Sequence, residues 1–147
     1  MENIQLFKRF TDELIQSGFM GDIHSDRANR ILNATDNSIY EVMPLGIIEP
    51  RCENDVKLMC KIASTELYHS LTFTARGGGT GTNGQSLTEG IVVDMSRYMT
   101  NILDFNPAEL TITVEPGLVL SKLNQFLLPH GLFFAPHVST ENRATIG

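Results

Sequence analysis

The stretch Arg76-Gly77-Gly78-Gly79-Thr80-Gly81-Thr82-Asn83-Gly84 holds five glycines, two threonines and one arginine, and only Ala75 separates it from the alternating run Leu71-Thr72-Phe73-Thr74. Without a Cβ the backbone reaches φ > 0 and turns successive N–H groups into one concavity. Main-chain donors, two hydroxyls and a guanidinium then suffice to hold a diphosphate. A plain turn does not call for three consecutive glycines between Arg and Thr, so the composition points to anion binding. Two phosphate-binding patterns match in letters only. Gly79-x-Gly81-x-x-Gly84 fits the dinucleotide fingerprint, and Gly79 through Gly84-Gln85-Ser86 approaches a P-loop. Both motifs need a helix opening at the loop, because its N-terminus supplies the positive end of a dipole. Here only Gln85 to Gly90 separate the loop from Ile91-Val92-Val93-Asp94, and Gln85 stands where a P-loop has lysine. The expectation is a strand–loop–strand cradle.

Other chemistry is sparse. Cys52 and Cys60 are the only cysteines, and their spacing fits neither a redox pair nor a zinc site, so no metal is expected and both thiols are read as reduced. His24, His69, His130 and His137 fall in or beside turns, and nothing places one against a nucleophile. Eleven Lys and Arg against seventeen Asp and Glu give a net charge of −6. Without a basic cluster, that balance counts against nucleic acid, whose binding needs several cations on one face. Charges at Glu2, Lys8, Arg9, Asp12 and Glu13 break any signal-peptide core. No apolar run approaches membrane-spanning length, and the expected location is cytoplasmic.

The elements that position the loop are readable from periodicity. In 147 residues, 41% hydrophobic and 19% charged, one core can form without disulfides or metal. Ile4, Phe7, Phe10 and Leu14, with Ile15 beside them, predict an amphipathic helix over 3–18, stopped by Gly18. Residues 22–46 read as a short helix around Arg27–Leu32 and then an irregular approach to the core. Ile47-Ile48-Glu49, closed by Pro50, starts a strand–helix–strand unit. Its helix carries Val56, Met59, Cys60, Ala63 and Leu67 on the apolar face, and its second strand is Leu71–Thr74. Parallel pairing of the two strands puts the glycine loop at the carboxyl edge of the sheet, where α/β folds collect ligands. Strands follow at 91–94, 102–105 and 110–114, then a helix over 118–128, and Leu132-Phe133-Phe134 reads as one more buried strand.

Four separated motifs, in order, resemble the PCMH-type FAD-binding domain shared by vanillyl-alcohol oxidase, D-lactate dehydrogenases and UDP-N-acetylenolpyruvoylglucosamine reductase. Asp36-Asn37-Ser38-Ile39-Tyr40 looks like its D-x-S-x-Y approach to the first strand, and Phe73 to Gly81 like its pyrophosphate loop. Val114-Glu115-Pro116-Gly117 is similar to its V-x-x-G turn, and Ala144-Thr145-Ile146-Gly147 to its T-I-G-G segment. The likeness covers about residues 22–147. Within that family, Thr35–Pro44, Phe73–Met99 and Phe133–Gly147 look like the N-terminal portion of bacterial FAD-linked, iron–sulfur-containing oxidoreductases of the D-2-hydroxyglutarate dehydrogenase type.

The resemblance implies an α+β fold: a small parallel βαβ subdomain, an N-terminal helix, and the beginning of a second mixed or antiparallel sheet. Residues 1–43 would form an N-terminal helical extension and 44–147 the first part of the FAD-binding domain. It also implies FAD as cofactor, held without a covalent bond because the glycine loop has no His or Cys. The cofactor-binding set it implies is Arg76, Gly77, Gly78, Gly79, Thr80, Gly81, Thr82, Asn83, Pro136, Ser139, Thr140, Thr145 and Gly147. Arg76, at the loop entrance, would touch the cofactor or brace the loop. Relatives read Pro-Asp-Pro-x-Ser where this chain has Pro136-His137-Val138-Ser139-Thr140, so Thr140 would supply the hydroxyl and His137 replaces an acid. The family's domain continues past the position of Gly147. The chain is therefore expected to be an incomplete domain, inactive alone, with the 2-hydroxy acid site and any iron–sulfur cluster in the missing part. D-2-hydroxyglutarate is the first substrate implied, with D-lactate or glycolate next. A non-catalytic module that binds nucleotide or self-associates, through an open sheet edge and uncovered Phe133, Phe134 and Ile146, is the alternative.

Overall fold

The computed structural model describes residues 2–147. Its first unit is a four-stranded sheet backed by helices. Helix α1 (Glu2–Gln16) leads into strand β1 (Asp22–His24), helix α2 (Arg27–Leu32), strand β2 (Gly46–Glu49), helix α3 (Glu53–Ala63), strand β3 (Phe73–Arg76) and strand β4 (Ile91–Asp94). The strand order is β1-β2-β4-β3, with β2, β4 and β3 parallel and β1 antiparallel on the edge. The two strands of the strand–helix–strand unit are thus parallel but not neighbours, because β4 enters between them. Ile47, Ile48 and Ile91 to Val93 are buried on both faces of the sheet, which is why these parallel strands are continuous apolar runs.

One core cluster joins α1, α3 and the sheet through Phe7, Phe10, Leu14, Met59, Ile62, Tyr68, Ile48, Ile91 and Val93. Phe10 meets the Tyr68 ring edge-on at 5.2 Å, and the Tyr68 hydroxyl donates to Glu13 Oε2 at 2.6 Å. Residues read as the apolar face of α1 divide: Phe7, Phe10 and Leu14 are buried, whereas Ile4 and Ile15 are exposed. On α3 the buried stripe is Asp55, Met59 and Ile62, rotated by one residue from the predicted face, so Cys60 faces solvent; Leu67 lies beyond the end of the helix, exposed in the 3-10 turn Glu66–Tyr68. The cause is Asp55, whose Oδ1 accepts the Met20 N–H at 3.0 Å and whose Oδ2 accepts the Arg51 N–H at 2.9 Å. A carboxylate that ties two loops in this way must point inward, and it turns the helix with it.

The second unit is the antiparallel pair β5 (Ile102–Asn106) and β6 (Thr111–Val114) with helix α4 (Leu120–Leu127). Leu118, Leu123 and Leu127 form its core with Ile102, Phe105, Ile112, Val114, Leu132 and Ile146 packed around them. The strand expected at Leu132–Phe134 does not form. Phe133 is 75% exposed, and the run is tied by the Leu132 N–H to Leu127 O at 3.3 Å and the Phe134 N–H to Asn124 Oδ1 at 2.7 Å, both on or beside a helix rather than a strand. An apolar run becomes a strand only where a neighbouring strand accepts its backbone groups, and neither β5 nor β6 does so here. Ile146 is half-buried in the second core rather than bare.

Asp55→Ala is expected to destabilise the chain by about 3 kcal/mol, since it leaves the Met20 and Arg51 N–H groups without their charged acceptor. Urea unfolding followed by circular dichroism measures this. A loss under 1 kcal/mol would mean that Asp55 does not hold the loops.

Candidate functional site

The glycine loop leaves β3 at Arg76, at the carboxyl end of the parallel strands, and returns to β4 without a helix. The backbone N–H groups of Gly77, Gly78, Gly79, Thr80, Gly81 and Thr82 donate no hydrogen bond to any described residue. Six consecutive donors without partners, on a loop that is half-exposed from Gly77 to Gly81 and exposed at Thr82, are available to phosphate oxygens. Asn83 differs, because its N–H is taken by Gln85 Oε1 at 3.1 Å.

The second wall is the segment 140–147. It is held by the start of α4: the Leu120 N–H donates to Ala144 O at 2.9 Å, Ser121 N–H to Glu141 O at 3.0 Å and Ile146 N–H to Leu118 O at 3.0 Å. The Glu115-Pro116-Gly117 turn adds Pro116 O, which accepts from Gly147 N–H at 2.9 Å. These bonds also occupy the first turn of α4, so its N-terminus is not the anion site. Segment 140–147 then lies directly on the glycine loop. A Cβ on Gly77 would fall on Thr145 Oγ1, and a Cβ on Gly78 on the Arg143 carbonyl. Only glycine permits this approach at either position. Gly79 follows with φ of +62°.

Clefts flank this contact. One, of about 200 Å³, lies between Gly77–Gly81, Gln85 and Ser86 on one side and Ala144, Thr145 and Gly147 on the other. The other, of about 370 Å³, is bordered by Arg76, Asp94, Ser96, Asn142 and Arg143. Arg143 donates from Nη2 to Gly78 O at 3.1 Å and is otherwise exposed.

Arg76 is committed elsewhere. Its Nη2 donates to Thr35 O at 2.8 Å and its Nη1 to Ser86 Oγ at 3.4 Å. The Ser86 hydroxyl donates onward to Asp36 Oδ2 at 3.1 Å, and Asn37 N–H donates to Gly79 O at 3.1 Å. Burial pulls the Arg76 guanidinium below its usual range, against the opposing pull of Asp94 and Asp36. Burial acts to raise the Asp36 carboxyl. The Ser38 and Ser86 hydroxyls, the Ser38 N–H and the charge on Arg76 outweigh it and hold Asp36 below its ordinary 3.8.

Of the residues singled out in the sequence, the structure brings Arg76, Gly77–Gly81, Thr145 and Gly147 together. Thr82 and Asn83 are exposed on the far part of the loop. Pro136 and Ser139 are exposed and line neither cleft, and Thr140 serves as a turn, its carbonyl accepting from Arg143 and Ala144 N–H. His137 is exposed as well. Sequence reading missed Arg143, Gln85 and Ser86. Arg143's position two residues before Thr145 was the available signal.

Residues 44–147 match the family described as FAD binding domain. The chain is 51% identical over 144 residues to the D-2-hydroxyglutarate dehydrogenase of Escherichia coli K12, covering 98% of this chain and 14% of that protein. It is 30% identical over 142 residues to the glycolate oxidase subunit GlcD of Bacillus subtilis 168, covering 95% of this chain and 30% of that one. In structure it is similar to an alkyldihydroxyacetonephosphate synthase, with a TM-score of 0.81 at 19% identity over 95% of this chain and 30% of the other.

Gly78→Ala is expected to cost about 1–3 kcal/mol by forcing segment 140–147 off the loop. Hydrogen exchange should rise at the Leu120 amide while the Ile91–Val93 amides keep their protection; uniform change would refute a local lever. Asp36, whose folded value is lowered, contributes stability that is full above about pH 4 and is lost as pH falls through that lowered value. The stability difference between the unsubstituted chain and Asp36→Asn should therefore shrink below pH 4 in urea melts, and a constant difference would refute it.

Proposed function

The chain belongs to the FAD binding domain family, and from that premise we propose that it is the FAD-holding part of an FAD-dependent dehydrogenase that oxidises D-2-hydroxyglutarate. It spans only about a seventh of the D-2-hydroxyglutarate dehydrogenases it matches at about half identity. The activity is therefore proposed for a protein of their length. The observation that carries the reading is the run of six unpaired N–H groups from Gly77 to Thr82, of which Gly77 and Gly78 lie against Thr145 and Arg143, and Gly77–Gly81 border a cleft shared with Thr145 and Gly147.

In this reading the amides of Gly77–Thr82 hold the diphosphate of FAD, and the Thr80 and Thr145 hydroxyls border it. Thr82, Asn83, Pro136, Ser139 and Thr140, which line neither cleft, would meet parts of the cofactor beyond the diphosphate. Arg143 supplies the exposed positive charge. Bound FAD supplies the hydride acceptor for oxidation of the hydroxy acid. This chain's own share is to bind and orient. The donors are fixed by the fold before the anion arrives, so little ordering cost is added on binding. The absence of His and Cys between Arg76 and Gly84 leaves the loop no nucleophile for a covalent flavin bond. Glycolate or D-lactate is the second substrate reading, favoured by the 30% identity to a glycolate oxidase subunit and 32% to the D-lactate dehydrogenase of yeast.

Calorimetric titration of the chain with FAD should give saturable binding, and Gly79→Val, which puts a branched side chain at φ +62° against the Arg76 guanidinium, should abolish it. Equal binding by the variant would overturn the loop assignment. In a protein of the relatives' length, D-2-hydroxyglutarate should bleach the flavin absorbance faster than glycolate or D-lactate does. The reverse order would favour the second reading.

A further inference from the structure

Arg76 is the cation nearest the glycine loop in sequence, and direct phosphate binding is the obvious role for it. Its geometry argues otherwise. Two of its five N–H groups go to Thr35 O at 2.8 Å and Ser86 Oγ at 3.4 Å, and its charge is balanced by Asp94 and Asp36. Thr35 lies 41 residues ahead of it, in a segment that reaches the loop again through the Asn37 N–H on Gly79 O at 3.1 Å. The same segment is itself fixed. Asp36 Oδ1 accepts the Ser38 N–H at 2.8 Å, and its Oδ2 accepts the Ser86 hydroxyl at 3.1 Å. On the loop side, a Cβ at Gly79 would meet Arg76 Nη2 at 2.6 Å, so the guanidinium packs against the turn it supports.

We propose that Thr35–Ser38 is a clamp that sets the shape of the diphosphate loop, with Arg76 and Asp36 as positioning residues that raise FAD affinity without touching the cofactor. The proposal rests on the diphosphate reading above. It makes a prediction of opposite sign to direct charge recognition. If Arg76 binds phosphate, neutralising the neighbouring Asp36 removes a negative charge from an anion site and tightens binding. Lysine would also serve in place of Arg76, since an ammonium binds phosphate as a point charge. If Arg76 is a brace, loss of Asp36 loosens the loop and weakens binding. Lysine then fails, because it cannot present the planar fork to two acceptors at once.

The experiment is FAD titration of the chain and of Asp36→Asn, Arg76→Lys, Arg76→Ala and Ser86→Ala, with 1H–15N spectra of each FAD-free protein. The expected result is FAD affinity about tenfold lower for Asp36→Asn, the scale of one charge-assisted hydrogen bond. Arg76→Lys should be as weak as Arg76→Ala. Ser86→Ala, which keeps every charge and is the variant least disturbing to folding, should be weaker than the parent by about threefold, a fraction of one hydrogen bond. Tighter or unchanged binding by Asp36→Asn, or full binding by Arg76→Lys, overturns the clamp. Should the parent chain not bind FAD at all, the diphosphate reading fails by itself. The clamp is then judged on the FAD-free spectra, where Asp36→Asn must move the Gly77–Gly81 signals and speed exchange of the Asn37 amide; signals left in place overturn it.

Discussion

Two stretches of backbone, Gly77–Gly78 and Arg143–Thr145, lie so close that no side chain fits between them, and most of the molecule serves that approach. The sheet delivers the first stretch at the carboxyl end of β3. The second is delivered by the start of α4, whose first N–H groups are spent on Ala144 and Glu141 carbonyls. A helix N-terminus is usually where an anion is expected. Here it is a fastener, and the donors left without partners are the loop's own.

The two units of the fold have separate cores, one around Phe10 and Tyr68 and one around Leu118 and Leu123. Segment 140–147 belongs to both neighbourhoods: Ile146 packs on the second core while Thr145 covers Gly77 of the first unit. Gly117 strengthens the same junction, because its N–H reaches Met99 O at 2.8 Å just beyond β4. Loop shape is therefore a property of how the units meet, with Arg76 and the Thr35–Ser38 segment adding a third side.

Legibility in the sequence followed the range of the interactions. Helix α1, helix α2 and strands β2 and β4 were readable because spacing, caps and apolar runs are local. The glycine loop was readable for the same reason, and the lack of room for a helix before Ile91 correctly set aside the nucleotide-binding motifs it imitates. Strand β1 was missed, since Asp22-Ile23-His24 is three residues long and is made a strand only by pairing with Ile47 to Glu49. The insertion of β4 between β2 and β3 is likewise non-local. On α3 the one-residue rotation came from Asp55, a charged residue that periodicity assigns to the outside but whose acceptors' partners lie on two loops. Phe133 and Phe134 failed in the opposite direction, as an apolar run without a strand to receive it. At the site, the partners of Arg76 stand 41 and 10 residues away, and no spacing rule relates them.

Recognition by main-chain N–H groups has an evolutionary consequence. A seat made of side chains changes whenever those side chains change, but a seat made of peptide groups is rewritten only when the backbone moves. Thr80, Thr82 and Asn83 can drift among relatives without unmaking it. Gly77 and Gly78 cannot, because any Cβ there collides with the opposing strand of chain. Divergence in a chain built this way should therefore accumulate around a fixed pair of glycines.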